Sequence, residues 1–108
     1  MSFSCIECKG LIRDIESKNI KNLVLCGIET HICVQQTAID LKNRGINIFV
    51  PIDAVGSRYS IDHETAIRRL QYAGVIITST ESIIFEWCKS ADREEFKSIS
   101  NIVKNRKH

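Results

Sequence analysis

Three short apolar runs, spaced by about 25 residues, most constrain the fold of this 108-residue chain. They cover residues 23–28, 46–52 and 75–78, carry no charged side chain, and have the length of strands buried on both faces. Between them, apolar residues recur with the period of amphipathic helices. Strands that alternate with helices favour parallel pairing through right-handed crossovers. The sequence therefore predicts one α/β domain, over residues 1–108, with a three-stranded parallel sheet.

Five helices are predicted from apolar faces and end signals. Thr30 is placed to cap the helix that buries Val34, Ala38 and Leu41, and Gly45 follows its last turn. The last helix begins with a capping-box pattern at Asp92. The predicted ranges are about 6–18, 31–44, 61–73, a short helix from Thr80, and the helix after Asp92.

Charge and composition exclude several classes of protein. The net charge of +2 is too small to favour nucleic acid or an acidic membrane surface as a partner. No apolar run approaches the roughly 20 residues of a membrane-spanning helix, and no signal-peptide pattern opens the chain. Five cysteines in such a chain indicate a reducing compartment. We expect a cytoplasmic protein, with a mitochondrial or other organellar location left open for a longer parent protein.

Ligands of parallel α/β sheets bind beyond the carboxyl ends of the strands, which draws attention to residues 29–33, 53–58 and 78–81. Cys33 lies there, in the first turn of a predicted helix, where unpaired N–H groups favour a thiolate and can bind an oxyanion. His31, two residues away, can also influence the thiol. A small buried side chain is the alternative for Cys33. Cys26, in a strand, and Cys88, on a helix face, are predicted to be core residues.

A second cysteine pattern, Cys5-x-x-Cys8, opens the first predicted helix. Such a pair can be a thiol redox site, but that site expects a strand before the first cysteine. A zinc site expects a second cysteine pair or suitably spaced histidines, and the three histidines are not so spaced. The two cysteines are therefore interpreted as incidental helix residues, with redox pairing as the alternative. We expect no metal and no cofactor.

Three segments resemble one known family. They read LVLCGIETHICVQQTA (residues 23–38), PIDAVGSR (51–58) and GVIITSTE (74–81). They are similar to segments of the isochorismatase-like cysteine hydrolases, in particular the eukaryotic isochorismatase-domain-containing proteins, and the similarity runs from Phe3 to about Val103. The resemblance implies the C-terminal half of a six-stranded sheet in a three-layer α/β/α, Rossmann-like fold.

The resemblance also implies roles for particular residues. Cys33 matches the family's nucleophile, and a cis peptide bond is implied between Ile28 and Glu29. The backbone N–H groups of Glu29 and Cys33 would then form the oxyanion hole, and the substrate would be a small molecule. The family also uses an aspartate base and a lysine, and neither has a matching position in this chain.

Three hypotheses follow from these observations. The chain is a cysteine hydrolase or part of one, a non-catalytic remnant that acts by associating with another chain, or a redox module built on Cys5 and Cys8. For the first two we expect either a homo-oligomer or pairing with a complementary N-terminal segment, because the strand at residues 23–28 would otherwise leave an open sheet edge.

Overall fold

The helices and strands alternate as the sequence predicts. The computed structural model describes residues 10–88, and the following bounds come from it. The elements are α1 (Leu11–Ser17), β1 (Asn22–Val24), β2 (Gly27–Ile28), a π-helical turn (Thr30–Val34), α2 (Gln35–Asn43), β3 (Asn47–Pro51), a 3-10 turn (Ile52–Ala54), β4 (Val55–Gly56), α3 (Ser60–Tyr72), β5 (Ile76–Thr78) and α4 (Thr80–Cys88).

The main sheet is parallel and has the order β1–β3–β5. Val24 lies opposite Phe49 and Phe49 opposite Ile76, so β3 is the central strand. This confirms the predicted α/β class and the three-stranded parallel sheet. A second, two-stranded parallel sheet joins β2 to β4; the sequence did not predict it.

The core lies on one face of β3. Ile48 and Val50 alternate onto that face and are fully buried, and Leu41 of α2 and Leu70 of α3 are buried in the same cluster. Ile15 of α1 joins them. This helical cover holds the central strand in place, so the chain segments that leave its carboxyl end are fixed relative to one another.

The sequence predicted one buried strand over the first apolar run, residues 23–28, but the structure divides this run between two sheets. The backbone N–H of Leu25 still donates to the Phe49 carbonyl at 3.0 Å, but regular pairing with β3 ends there. Gly27 then has a φ of 125°, a conformation that favours glycine, and the chain pairs next with β4. Ile28 is consequently 79% exposed, and Cys26 is exposed and lies outside any strand. The prediction that Cys26 is a core residue was wrong.

The predicted inner face of the second helix and the burial of Cys88 are confirmed, with one correction at a helix start. Val34, Ala38 and Leu41 are buried, Cys88 is buried on α4, and Gly45 has the positive φ, 88°, of a residue that follows a helix. Thr30 does not cap the second helix, because its side chain makes no capping hydrogen bond to the turn that follows.

Several sequence predictions fall on residues outside the described range. They concern Cys5 and Cys8, the start of the first predicted helix, and the last helix from Asp92. Within residues 10–88, none of the helices is both long enough and apolar enough to cross a membrane.

Candidate active site

Cys33 lies in the short π-helical turn that begins just beyond β2. Two amides of this turn, those of Ile32 and Val34, donate to the Glu29 carbonyl at 3.2 and 3.3 Å. The peptide bond between Ile28 and Glu29 is cis, at the place that the family resemblance indicated. Cys33 is half-buried, so its side chain is neither a sealed core group nor fully solvated. The predicted position of the cysteine in the first turn after a strand is thus the one that the structure has.

Thr30, at the start of the turn, is tied to α3. Its side chain is fully buried, and its hydroxyl lies 3.0 Å from Nδ1 of His63. A hydroxyl in such a position requires a hydrogen-bond partner, since burial without one is unfavourable. The bond spans 33 residues of sequence, which is why a reading of local patterns assigned this hydroxyl to a helix cap instead.

His31 is tied to the segment between β4 and α3. Its Nδ1 lies 2.8 Å from Oγ of Ser57, and its backbone N–H donates to the same oxygen at 3.4 Å. Its Nε2 is 3.9 Å from a carboxylate oxygen of Asp62. These contacts hold the His31 ring toward Ser57 and Asp62.

The Glu29 carboxylate faces two basic side chains without a hydrogen bond. Its Oε2 atom is buried and lies 3.6 Å from Nε of Arg58 and 3.9 Å from Nδ1 of His31. Arg58 is largely exposed, so solvent screens its ion pair with Glu29. Sequence reasoning assigned only the backbone N–H of Glu29 to the site. The one available signal for the side chain was that Glu29 carries the only charge within residues 23–38.

The segments after β3 and β5 also meet, as their positions beyond the strands predicted. A carboxylate oxygen of Asp53 accepts from the Thr80 backbone N–H at 2.8 Å and from the Thr80 hydroxyl at 2.9 Å. Asp53 therefore satisfies donor groups at the N-terminus of α4. The arrangement supplies a local structural reason for an aspartate at this position.

The two clefts found among the described residues lie away from the turn that holds Cys33. Two clefts, of about 530 and 420 Å³, are lined by described residues. The first lies near Ile12, Arg44 and Ile46, and the second near Ile39 and Tyr72. Neither is lined by the turn that holds Cys33. Across residues 10–88, no three histidine, cysteine or acidic side chains are grouped so that they could hold a metal ion.

Comparison with known proteins decides the family. The sequence model of the isochorismatase domain matches residues 1–82. The chain belongs to the isochorismatase family. It is 46% identical over 84 residues to the secreted isochorismatase effector Isc1 of Phytophthora sojae, and 40% identical over 89 residues to isochorismatase domain-containing protein 1 of Danio rerio. These alignments take in 78% and 82% of this chain.

Solved structures give the same result for the fold. A Caenorhabditis elegans protein described as MAR1 ribonuclease matches with a TM-score of 0.86 and 36% identity over 96% of this chain. A pyrazinamidase/nicotinamidase from Streptococcus mutans matches with a TM-score of 0.67 and 34% identity over 70% of this chain. These neighbours are isochorismatase-like hydrolase folds, and their α/β architecture agrees with the three-stranded sheet described above.

The matched proteins are much longer than this chain. The alignments take in 40% of the Phytophthora protein and 31% of the zebrafish protein. The structural match takes in 53% of the Caenorhabditis chain and 42% of the Streptococcus chain. The chain thus spans less than half the length of these two curated relatives.

Proposed function

We propose that this isochorismatase-family domain supplies the nucleophile and the oxyanion hole of a cysteine hydrolase that acts on a small molecule. The position of Cys33 supports the proposal, because a half-buried cysteine in the first turn beyond a strand suits nucleophilic attack. In the proposed reaction the Cys33 thiolate attacks a carbonyl carbon of the substrate, and the backbone N–H groups of Glu29 and Cys33 stabilise the oxyanion that forms. When this intermediate collapses, the bond to the leaving group breaks, the leaving group departs with a proton, and a thioester to Cys33 remains. Water then hydrolyses the thioester, which releases the acid and restores the thiol.

Activation of the thiol requires groups that the described part of the chain does not supply. The aspartate and lysine implied by the resemblance match no position in the sequence. Asp53 is hydrogen-bonded to Thr80, and the Glu29 carboxylate lies beside Arg58 and His31. We infer that the proton-transfer groups come from a complementary segment, and that the domain is active only when that segment completes the site.

The edge of β1 supports this requirement for a second segment. The Asn47 N–H donates to the Lys21 carbonyl and the Leu25 N–H to the Phe49 carbonyl, so residues 21 and 25 face β3. Because strand residues alternate in direction, the backbone groups of Asn22 and Val24 face away from β3. Among residues 10–88 no strand pairs with that edge. An edge of this kind pairs readily with a strand from elsewhere.

The same edge supports the second candidate function, which is association without catalysis. In that case a second copy or another chain would occupy the β1 edge, and Cys33 would have no chemical role. The two functions differ in the reactivity of Cys33. Alkylation with iodoacetamide at neutral pH, mapped by mass spectrometry, tests the first: Cys33 should react faster than Cys26 and Cys88, and equal or slower labelling would remove the support for a nucleophile.

A further inference from the structure

A histidine outside the proposed chemistry holds the residue at the start of the nucleophile turn. His63 lies on α3, and its Nδ1 is 3.0 Å from the hydroxyl of Thr30, whose side chain has no solvent exposure. We propose that His63 is a positioning residue, which fixes the turn of residues 30–34 through Thr30 and thereby orients Cys33 and its neighbouring amides. This inference rests on the proposed function, in which Cys33 is the nucleophile.

The Thr30–His63 hydrogen bond affects the turn because of where Thr30 lies in it. The residue before it, Glu29, has the carbonyl that accepts the amides of both Ile32 and Val34. Displacement of Thr30 would move that carbonyl and so change the direction of the amides around Cys33. An amide that is to stabilise an oxyanion must be held in place before the charge develops. The Thr30–His63 hydrogen bond supplies that restraint from a separate helix.

A second contact supports the same conclusion on the adjacent residue. His31 is held by Ser57, through its ring and its backbone N–H. The first two residues of the turn are therefore bonded to two different segments, Ser57 before α3 and His63 within it. Because Cys33 follows only two residues later, little freedom remains for the backbone between the tied residues and the sulfur.

Paired substitutions at Thr30 separate hydrogen bonding from packing. Thr30→Val keeps the branched shape and removes the hydroxyl, whereas Thr30→Ser keeps the hydroxyl and removes a methyl group. If the hydroxyl bond to His63 positions the turn, Thr30→Ser should resemble the wild type and Thr30→Val should not. A role in packing alone predicts the reverse order. His63→Leu and His63→Asn form the matching pair on α3, since an asparagine amide can replace the bonding capacity of Nδ1.

The experiment uses the full 108-residue chain and two readouts. The first is the rate of iodoacetamide labelling at Cys33, with exposed Cys26 as the reference and buried Cys88 as the reporter of unfolding. The second is amide hydrogen exchange at Val34, with the Val75 amide, bonded to Leu70, as the core reference. Loss of one buried hydrogen bond should lower the protection of Val34 by about fivefold in Thr30→Val and His63→Leu. Cys33 should also react more slowly relative to Cys26 in both.

Cys33 labelling and Val34 exchange also serve for the control variant and for the outcomes that would contradict the proposal. Thr65→Val, at an exposed position of α3, should change neither readout. The proposal would be overturned if Thr30→Val kept the wild-type rates of Cys33 labelling and Val34 exchange. It would also be overturned if Thr30→Ser lost Cys33 reactivity and Val34 protection while Cys88 stayed protected. If iodoacetamide labels Cys88 rapidly in Thr30→Val, the fold has opened in that variant. Thr30→Ser and His63→Asn then decide the proposal, because both must keep the wild-type rate of Cys33 labelling. If Cys33 of the wild type labels no faster than Cys26, the nucleophile assignment loses its support, while exchange at Val34 would still decide the positioning contact.

Discussion

Asp53 and Thr80 lie 27 residues apart in sequence, and one carboxylate oxygen of Asp53 accepts two hydrogen bonds from Thr80. These bonds, at 2.8 and 2.9 Å, join the segment after β3 to the first residue of α4. The Asp53 carboxylate thus accepts hydrogen bonds at the N-terminus of α4, as a capping residue does, although it lies outside that helix. It also couples the carboxyl ends of two neighbouring strands, which places α4 relative to the candidate site.

The first prediction concerns the stability that this contact provides. Replacing Asp53 by alanine leaves the Thr80 amide and hydroxyl without that acceptor, so we expect a loss of about 1–2 kcal/mol in the free energy of unfolding. Urea unfolding followed by circular dichroism measures it. Glu86→Ala, at an exposed position of α4, is the control and should change stability by less than about 0.5 kcal/mol. An equal loss in both variants would show that the Asp53 contact has no special role.

The second prediction concerns the relative reactivity of the cysteines. Cys33 should be alkylated faster than Cys26, even though Cys26 is exposed and Cys33 only half-buried. The reason is that Cys33 occupies the first turn beyond a strand, which is the position of the proposed nucleophile, whereas Cys26 lies outside any helix. Competition with limiting iodoacetamide at neutral pH gives the ratio of the two rates. A ratio set by exposure alone, with Cys26 the faster, would contradict the nucleophile assignment.

The third prediction concerns the activity of the chain by itself. We expect little or no hydrolysis of small amides by the purified 108-residue chain, because no position of the sequence matches the aspartate base that the family resemblance implies. The assay compares the wild type with Cys33→Ser and with Cys26→Ser as the matched control. Robust turnover that Cys33→Ser abolishes and Cys26→Ser retains would show that another residue in this chain transfers the proton.

The fourth prediction concerns association through β1. We expect the isolated chain to dimerise or aggregate at micromolar concentration, because the backbone N–H of Val24 faces the open edge. Val24→Pro removes that donor while leaving the Leu25–Phe49 bond on the other side of the strand, so it should reduce association. Sedimentation velocity measures the change. Val24→Thr keeps the amide and should associate as the wild type does; a compact wild-type monomer would contradict the prediction.

Much of the fold could be predicted from local sequence. The apolar runs predicted β3 and β5 to within a residue or two, and the periodic apolar faces predicted the positions of α2 and α3. A glycine at a helix end was equally informative, since Gly45 has the positive φ that its position predicted. These features depend on residues within a few positions of one another, so the sequence alone contains the information.

The candidate site was predicted only in its local part. Cys33 stood out because its place after a strand, at the start of a helix, can be recognised from neighbouring residues. The partners of that turn could not be recognised in this way. His63 and Ser57 reach it from 33 and 26 residues away, and nothing in their own surroundings marks them as its contacts.

By itself, the sequence determined the alternation of strands and helices, the ends of several helices, and a cysteine in a first helical turn. Tertiary structure decided that the first apolar run changes partner from β3 to β4, which exposes Cys26 and Ile28. It also decided that the Thr30 hydroxyl bonds to His63 instead of capping its own helix. The physical reason is the same in both cases. A local sequence pattern determines a backbone conformation, but the hydrogen-bond partner of a polar group or a strand edge depends on which segments the completed fold brings near it.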